Sequence, residues 1–515
     1  MDFHVSKNKN ILFLLKLKQF VHISLNILHL YLKFSIFAKK ILLIVEDIYT
    51  VIRKNFGWMP SPEQATAIEV FRRFLNDQSD RPVMLMKGAA GTGKTSLAGA
   101  FVRTLVAMRQ KVMLLAPTGR AAKVFSLNCG QAAFTIHRKI FRQKMFTGTM
   151  TGFHLHDNLS QDTVFFVDEA SMISNSANGE TDFGSGKLLD DLMRFVYSGR
   201  NCRMVLIGDK AQLPPVGEVE SPALMSDYLA GYGLTVYQCE LNDVLRQSQQ
   251  SGVLYNATVI RQLITHDEAT RLPKIRFSGF ADIVMMPGGE LIESLATSYS
   301  KVGTDETIVV TRSNKRANIY NMGIRNSVLG CEDEISSGDM LMVVRNNYYW
   351  AEATKSNLAF IANGDRARVV KVRNYRDLYG FHFADVLLRF PDYDDQEMEV
   401  TVVLDSLRSE APSLTKEQNE ALLNGVLEDY EDIATKPARM AKVKTDIYYN
   451  AVQIKYAYAV TCHKAQGGQW QHVYIDQGYM TDDMLTPDYI HWLYTAFTRA
   501  AGKLFLVNWP KTQTE

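Results

Sequence analysis

From about residue 60 onward, short apolar runs recur along the chain, and each is followed at once by polar residues. Four such runs in the first half predict buried strands: Val83–Met86, Lys111–Ala116, Val164–Val167 and Arg203–Ile207. Runs of this length are typical of strands that are buried on both faces. Amphipathic segments lie between them, and Pro62–Leu75 predicts a capped helix. This alternation predicts an α/β fold with a parallel sheet, in which ligands bind at the carboxyl ends of the strands.

The second half of the chain repeats this pattern and then departs from it. We expect a second α/β domain to open near Leu234, with a further buried strand at Thr307–Val310. After Cys331 come short strands with turn residues between them: Met340–Val344, Ala367–Val372, Ala384–Leu388 and Glu399–Val403. They predict a small inserted β-barrel. The α/β pattern resumes at Tyr456.

These changes of pattern divide the chain into four predicted parts. Residues 1–57 form an N-terminal extension, and residues 58–230 form the first α/β domain. The second α/β domain comprises residues 231–331 and 453–515, with the barrel inserted as residues 332–452. Residues 141–162 are rich in Thr, Gly, Phe and His. They are either a β-hairpin that projects from the first domain or a plain surface loop.

The N-terminal extension differs in composition from the rest of the chain. Up to Lys40 its only acidic residue is Asp2, and its longest uncharged run, Gln19–Leu32, is too short to span a bilayer. A signal peptide and a basic membrane-surface helix are both conceivable, although lysines interrupt the apolar stretch. We favour a third interpretation, in which this segment is not part of the native protein.

Composition limits the classes of function. The 515 residues are 46% hydrophobic, which is enough for sizeable cores, and the net charge is only +2. A nucleic-acid site must therefore be a local groove rather than a globally basic surface. The five cysteines are scattered and include no C-x-x-C pair. They argue against a disulfide framework or a zinc site and favour a cytoplasmic location, with no membrane partner expected.

The strongest motif fits the phosphate-loop pattern G-x-x-x-x-G-K-[ST] at every fixed position. It lies between a predicted strand and a predicted helix and comprises Gly88, Ala89, Ala90, Gly91, Thr92, Gly93, Lys94 and Thr95. Glycines allow the backbone to curl around phosphate, and the amides and the helix N-terminus supply a positive field. We expect Lys94 to bind the β- and γ-phosphates and the Thr95 hydroxyl to hold Mg²⁺. The predicted cofactors are therefore ATP and Mg²⁺.

Two further strand ends carry candidate catalytic groups. Asp168 and Glu169 close the third strand, where Asp168 suits Mg²⁺ binding and Glu169 suits activation of a water molecule. Gln212 follows the fourth strand and could donate its amide to the γ-phosphate. Taken alone, an Asp-Glu pair is usually a solvated strand end, and Gln212 could be a solvated glutamine in a loop made rigid by proline. Arg246 and Arg499 are candidates for stabilising charge from the facing domain.

In this order, the motifs resemble those of superfamily-1 DNA helicases of the RecD-like and Dda-like group, which is related to the Pif-type enzymes. The resemblance covers roughly residues 58–510. It is carried by residues 88–95, 116–122, 168–171, 208–217, 245–247, 461–467 and 494–499. Trp470 follows the last glycine of the 461–467 motif, where the family varies, and we assign it no role.

The resemblance implies two RecA-like domains with ATP between them, an SH3-like barrel insertion and a wedge hairpin. Within that scheme Gln64 contacts adenine, and Arg246 and Arg499 act as arginine fingers. Phe146 and Phe153 both have the flat apolar face that a wedge needs. Movement is expected to be 5′-to-3′ along single-stranded DNA.

The resemblance also implies a DNA track across both domains. Its candidate residues are Thr118, Arg120, His137, Thr311, Thr461, His463, Lys464 and Gln466. Hydroxyls, amides and cations suit phosphate contacts, and imidazole suits base stacking. Thr118 and Lys464 could instead be ordinary loop residues, and both histidines could be structural.

The expected function is therefore ATP-dependent unwinding of duplex DNA. The expected partners are single-stranded DNA and junctions of single- and double-stranded DNA. The protein would act as a monomer or as an accessory to a replication or repair complex. The alternative is an ATP-gated DNA-binding subunit that does not unwind DNA.

Overall fold

A computed structural model of the chain describes residues 47–146, 149–176, 184–243, 250–265, 272–354, 358 and 360–515. Of residues 143–146 and 149–152 it describes the backbone alone. Most of the N-terminal extension lies outside the described residues. Its last part, Ile48–Phe56, is a helix whose Ile52 and Phe56 pack into the core of the first domain. The predicted extension therefore ends earlier than residue 57.

The strands are numbered in chain order. They are β1 (Pro82–Gly88), β2 (Lys111–Ala116), β3 (Ala133–Thr135), β4 (Phe141–Phe146), β5 (Thr149–Leu155), β6 (Thr163–Val167), β7 (Arg203–Gly208), β8 (Thr235–Leu241), β9 (Ile283–Met286), β10 (Thr307–Thr311), β11 (Met340–Val343), β12 (Arg366–Leu378), β13 (Phe381–Phe390), β14 (Gln396–Val403), β15 (Val452–Tyr456), β16 (Ala459–Thr461), β17 (Trp470–Asp476) and β18 (Ala500–Val507).

The α-helices are numbered in the same way. They are α1 (Ile48–Phe56), α2 (Pro62–Asn76), α3 (Lys94–Ala107), α4 (Gly119–Cys129), α5 (Ile136–Ile140), α6 (Leu188–Ser198), α7 (Ser226–Ala230), α8 (Gly252–Thr265), α9 (Leu291–Val302), α10 (Asn314–Gly323), α11 (Tyr349–Ala353), α12 (Asp405–Arg408), α13 (Lys416–Glu428), α14 (Lys436–Val443), α15 (Cys462–Ala465) and α16 (Pro487–Phe497). Within the described part of the chain, no helix has the length and apolar character needed to cross a bilayer.

The first sheet has six parallel strands in the order β3-β2-β6-β7-β1-β8. This confirms the predicted parallel α/β fold. Strand β8 pairs with β1 along its whole length, so the first sheet continues past residue 231, where we predicted the second domain to begin. That boundary was placed too early because a short apolar run does not indicate which sheet it will join.

The second sheet has five parallel strands in the order β16-β10-β17-β18-β9. Between its first and last parts lies a closed barrel of β11, β12, β13, β14 and β15, as the short strands predicted. Strand β15 completes the barrel by pairing with β11 and β14, so the barrel extends to Tyr456 rather than ending at residue 452.

A β-hairpin projects from the first domain, because β4 and β5 pair antiparallel. The hairpin alternative for residues 141–162 is therefore the correct one. The Phe153 ring is buried, with its centroid 4.3 Å from that of Tyr348 and 5.8 Å from that of Phe360. Phe153 thus packs against the segment that joins β11 to β12 and does not present an open face. The side chain of Phe146 lies outside the described residues.

A buried ion pair fixes the barrel to the second sheet. Arg325 lies in a π-helical turn that continues α10, and Asp339 lies just before β11. The Arg325 guanidinium donates two hydrogen bonds of 2.9 Å to the Asp339 carboxylate, and its carbon lies 4.5 Å from the ring centre of Tyr456. Tyr458 donates a further hydrogen bond to Asp339. Both charged groups are satisfied, as their burial requires.

We predict that Arg325→Met will lower the free energy of unfolding of the domain by about 3–5 kcal/mol, since it leaves a buried carboxylate without its partner. Chemical denaturation of the two proteins measures the difference. The matched control is Lys315→Met, which removes an exposed pair with Glu410 and should cost about 0–1 kcal/mol. Equal small effects of the two substitutions would contradict the anchoring role of Arg325.

Candidate active site

A cavity of about 270 Å³ lies where the carboxyl ends of the first sheet meet the second domain. From the first domain it is lined by Lys94, Thr95, Asp168, Glu169 and Gln212. From the second domain it is lined by Gly467, Gln469, Thr498 and Arg499. The structure therefore brings together the phosphate loop, both strand-end motifs and one of the two candidate arginines.

The phosphate loop connects β1 to α3 with two glycines in left-handed backbone conformations. Gly91 has φ +76° and Gly93 has φ +82°, which residues with a side chain adopt at a cost. Gly88 also lacks room for a side chain, because a Cβ there would lie 2.6 Å from the Leu241 carbonyl oxygen of β8. The Lys94 ammonium donates to the carbonyl oxygens of Gly88 and Ala89 at 2.8 and 2.7 Å. Lys94 is thus folded against its own loop.

Gln64 stabilises the phosphate loop through a buried hydrogen bond. It forms a reciprocal capping box with Ser61 at the start of α2, and its Nε2 donates to the Thr92 carbonyl oxygen at 2.9 Å. The side chain is buried and does not line the cavity. The structure therefore places Gln64 next to the loop and leaves its expected adenine contact a prediction.

Asp168 and Glu169 reach the cavity through a strained turn at the end of β6. Glu169 has φ +52°, a conformation that costs energy for a residue with a side chain and that is frequent at functional sites. Its backbone N–H donates to Asp168 Oδ1 at 2.9 Å. Burial and the neighbouring Glu169 carboxylate raise the pKa of Asp168, while this hydrogen bond and Lys94 oppose the shift. A bound cation would favour the ionised carboxylate.

The first part of the loop after β7 is held by hydrogen bonds from the second domain. Its Leu213 N–H donates to the Thr495 hydroxyl at 2.8 Å, and its Leu213 carbonyl oxygen accepts from Gln466 Nε2 at 2.6 Å. His491 Nδ1 lies 2.9 Å from the Ala211 carbonyl oxygen. A shift of this loop is therefore passed directly to the second domain.

The structure describes only one of the two candidate arginines, Arg499. Arg499 is buried at the cavity wall, where it donates to the carbonyl oxygens of Thr495 and Gly468 at 3.0 Å each and to the Thr498 hydroxyl at 3.1 Å. It enters the cavity from the second domain, opposite Lys94. Arg246 lies outside the described residues.

The donor set of the cavity fits a nucleoside triphosphate with Mg²⁺. Gln212 is buried, and its Oε1 has no hydrogen-bond partner although it lines the cavity. An amide oxygen placed in this way needs a hydrogen-bond donor, and a water molecule beside the phosphate would supply one. Thr95 and Asp168 supply the hydroxyl and carboxylate oxygens that Mg²⁺ prefers, and the loop amides and Lys94 supply donors for phosphate.

The predicted DNA track is only partly exposed. His463 is exposed and Thr461 and Lys464 are half-buried, all three within or beside α15 at the carboxyl end of β16. Partial desolvation by the surrounding protein lowers the pKa of both His463 and Lys464. In the first domain, Thr118 is the N-cap of α4, where its hydroxyl accepts from the Ala121 N–H. His137 is half-buried in α5, close to the Phe141 ring.

Three other members of the predicted track are engaged in contacts within the protein. Thr311 is fully buried and donates to the Ser313 carbonyl oxygen, and Gln466 is used by the Leu213 contact. Arg120 donates to the Gln469 carbonyl oxygen and to Glu306, and its guanidinium lies 5.7 Å from the Trp470 ring centre. Gln466 and Arg120 thus join the two domains, whereas Thr311 bonds within the second domain, and sequence spacing alone does not reveal these contacts.

The sequence analysis included Tyr494 and Thr495 in the 494–499 motif but assigned them no role at the domain seam. Both lie on α16, shortly before Arg499, and both donate to or accept from first-domain groups. Helical spacing could have identified Thr495, because residues four apart lie on one face and Thr495 precedes Arg499 by four.

Two family models match the chain. Residues 60–271 match an AAA domain, and residues 456–507 match a UvrD-like helicase C-terminal domain. These two matches cover the first domain and the last part of the second. The cavity thus defines a P-loop NTPase built from two RecA-like domains.

Similarity to two curated proteins narrows the class of P-loop NTPase. The chain is 29% identical over 166 residues to the ATP-dependent DNA helicase Dda of Enterobacteria phage T4, covering 32% of this chain and 34% of Dda. It is 27% identical over 204 residues to the ATP-dependent RecD2 DNA helicase of Deinococcus radiodurans, covering 39% of this chain and 25% of that protein. With the two family models and the ordered motifs, these matches confirm the resemblance to superfamily-1 DNA helicases of the RecD-like and Dda-like group.

Two longer similarities extend along most of the chain. The uncharacterized protein R530 of Acanthamoeba polyphaga mimivirus is 22% identical over 512 residues, covering 86% of this chain and 98% of R530. The crystal structure of Pif1 helicase from Bacteroides with ADP-AlF3 and ssDNA is 14% identical, with a TM-score of 0.44, and covers 88% of this chain and 94% of that one.

We predict that His137 stays neutral between pH 5.5 and 8, because burial lowers its pKa to about 4. NMR of histidine-labelled protein should show no titration of the His137 ring over this range. The control is His382, whose pKa is raised by its hydrogen bond to Asp405. The pKa of His137 is near 6.5 in the unfolded chain and about 4 in the folded chain. The free energy of unfolding should therefore be highest above pH 6.5, and this contribution of His137 should be lost as the pH falls from 6.5 to 4. A His137 midpoint near pH 6.5 would contradict the burial.

Proposed function

We propose that the protein is an ATP-dependent DNA helicase that moves 5′-to-3′ along single-stranded DNA and separates duplex ahead of it. The observation that carries the proposal is the cavity shared by two RecA-like domains, with Lys94 on one wall and Arg499 on the other. A ligand bound there touches both domains. Its hydrolysis can therefore change how the domains sit against each other.

The proposed roles in hydrolysis follow from the position of each group in the cavity. The loop amides and Lys94 bind phosphate oxygens, and Thr95 and Asp168 hold Mg²⁺, which neutralises phosphate charge when bound. Glu169 accepts the proton of the attacking water, and the Gln212 amide orients the terminal phosphate. The Lys94 ammonium must first leave the carbonyl oxygens of Gly88 and Ala89.

Arg499 is proposed to supply positive charge to the transition state from the second domain. Its guanidinium now bonds to carbonyl oxygens and a hydroxyl, none of which carries a negative charge. A phosphate group is a stronger partner for a guanidinium than a carbonyl oxygen. Closing of the cavity on a triphosphate would therefore favour turning of Arg499 toward it. Arg246 is proposed as a second such group.

The proposed DNA path runs over the exposed part of the predicted track. Thr461, His463 and Lys464 offer a hydroxyl, a flat ring and a cation at the carboxyl edge of the second sheet, and Thr118 and His137 offer a hydroxyl and a ring in the first domain. The β4–β5 hairpin is the candidate wedge. A DNA base-pair step holds roughly 1.4 kcal/mol on average, well below the free energy of ATP hydrolysis.

An ATP-gated DNA-binding subunit without unwinding activity is the alternative. It would need the phosphate loop and the DNA contacts but would not need Glu169, Gln212 and Arg499 in one cavity. The presence of these three groups around the same space favours a hydrolytic motor. Proposed settings for such a motor are replication, recombination or repair.

We predict that the wild-type protein displaces the strand of a duplex with a 5′ single-stranded tail, and only with ATP and Mg²⁺. A duplex with a 3′ tail should remain paired, because translocation from that tail carries the protein away from the duplex end. Gel-based strand displacement on both substrates, with and without ATP, measures activity and polarity together.

The matched control is Lys94→Ala, which removes the phosphate-binding charge and should abolish hydrolysis and displacement together. Displacement by this variant would overturn the site assignment. DNA binding without displacement by the wild type would favour the gated subunit, and displacement from the 3′ tail alone would reverse the proposed polarity.

A further inference from the structure

One phosphate-loop amide is already occupied by a side chain of the second domain. The backbone N–H of Ala90 donates to the Tyr494 hydroxyl at 2.9 Å. Ala90 lines the cavity, and it lies in the middle of the loop whose amides bind phosphate in proteins of this class. The hydroxyl oxygen thus takes the position of an acceptor at an atom that a nucleotide needs.

The same hydroxyl is held from its other side by a first-domain carboxylate. Tyr494 donates to Asp209 Oδ2 at 2.6 Å, and the other carboxylate oxygen of Asp209 accepts from the Ala211 N–H at 3.0 Å. Tyr494 and Asp209 are each 1% exposed. Burial and the Asp209 charge raise the pKa of Tyr494 well above its ordinary value, so the hydroxyl stays protonated and can donate and accept at once.

These contacts join three elements of the cavity. Ala90 belongs to the phosphate loop, Asp209 to the end of β7 and Tyr494 to helix α16 of the second domain. Thr495, the next residue of α16, holds Leu213. The hydroxyl of Tyr494, the amide of Ala90 and the carboxylate of Asp209 are called the Tyr494 latch below.

We propose that the Tyr494 latch competes with nucleotide phosphate for the Ala90 amide, so that Tyr494 weakens nucleotide binding and helps to expel the product. The inference rests on the proposed function, because it assigns a further positioning residue to the same site. An incoming phosphate oxygen replaces the hydroxyl at Ala90, and α16 loses one of its attachments to the first domain. When nucleotide leaves, the hydroxyl returns. Tyr494 thereby links occupancy of the loop to the position of α16.

The test compares Tyr494→Phe with wild type by titrating full-length protein with a non-hydrolysable ATP analogue and Mg²⁺, without DNA. The substitution keeps the ring and removes only the competing hydroxyl. A neutral hydrogen bond is worth about twofold to tenfold in an equilibrium constant, so the dissociation constant should fall by about that factor. Release of a fluorescent ADP, followed by stopped flow, should slow in the same variant.

Tyr489→Phe is the matched control. Tyr489 is a buried tyrosine of the same helix, and its hydroxyl donates to Gln477, away from the phosphate loop. This variant loses one buried hydrogen bond where Tyr494→Phe loses two, so it should show a smaller loss of thermal stability and keep the wild-type dissociation constant and release rate.

Nucleotide binding by Tyr494→Phe that is unchanged or weaker than wild type would overturn the latch. So would an equal gain in Tyr489→Phe, because it would show that loosening of α16, and not competition at Ala90, causes the change. Failure of the wild type to bind nucleotide at all would instead overturn the proposed function. The two failures are therefore distinguishable.

Discussion

The structure depends on one seam, in which a loop of the first domain is held by hydrogen bonds from the second. The loop after β7 carries Gln212 into the cavity, and Leu213 beside it is held by Thr495 and Gln466. These bonds are buried, so breaking one without a replacement costs roughly 1–3 kcal/mol. A ligand that displaced Gln212 would therefore strain these bonds or move the second domain with it.

The inserted barrel shares one continuous apolar core with the second sheet, and buried charged groups add to this connection. Arg325 and Asp339 attach it to the second sheet, and both are fully buried. On its other side, Arg366 of the barrel and Arg120 of the first domain each lie 5.7 Å from the ring centre of Trp470. Trp470, to which the sequence analysis assigned no role, thus lies where all three units meet.

Much of the nucleotide site could be predicted from the sequence, because its residues follow strand ends at fixed spacing. A parallel sheet brings the carboxyl ends of β1, β6 and β7 to one edge, so Lys94, Glu169 and Gln212 meet there without further information. The phosphate loop could also be predicted, because it depends only on neighbouring residues. The motif itself indicates where glycines are needed for unusual backbone conformations.

The errors concern contacts between parts of the chain far apart in sequence. Strand β8 joined the first sheet because its pairing with β1 is set by tertiary packing, which a run of seven residues does not encode. Thr311 and Gln466 were expected to face DNA, but the folded chain buries them. A polar side chain in a motif can serve a ligand or a neighbouring backbone equally well, and only the three-dimensional arrangement distinguishes the two.

We expect hydrolysis to require both walls of the cavity, and substitution of Arg499 separates the contribution of the second wall from that of the first. Nucleotide affinity and DNA-stimulated ATP hydrolysis should be measured side by side in Arg499→Lys and wild type. Lysine keeps the charge but loses the planar fork. We predict nucleotide binding within about threefold of wild type and hydrolysis reduced by about 10³-fold or more. Hydrolysis within tenfold of wild type would show that the first domain works alone and that Arg499 is not needed for the reaction.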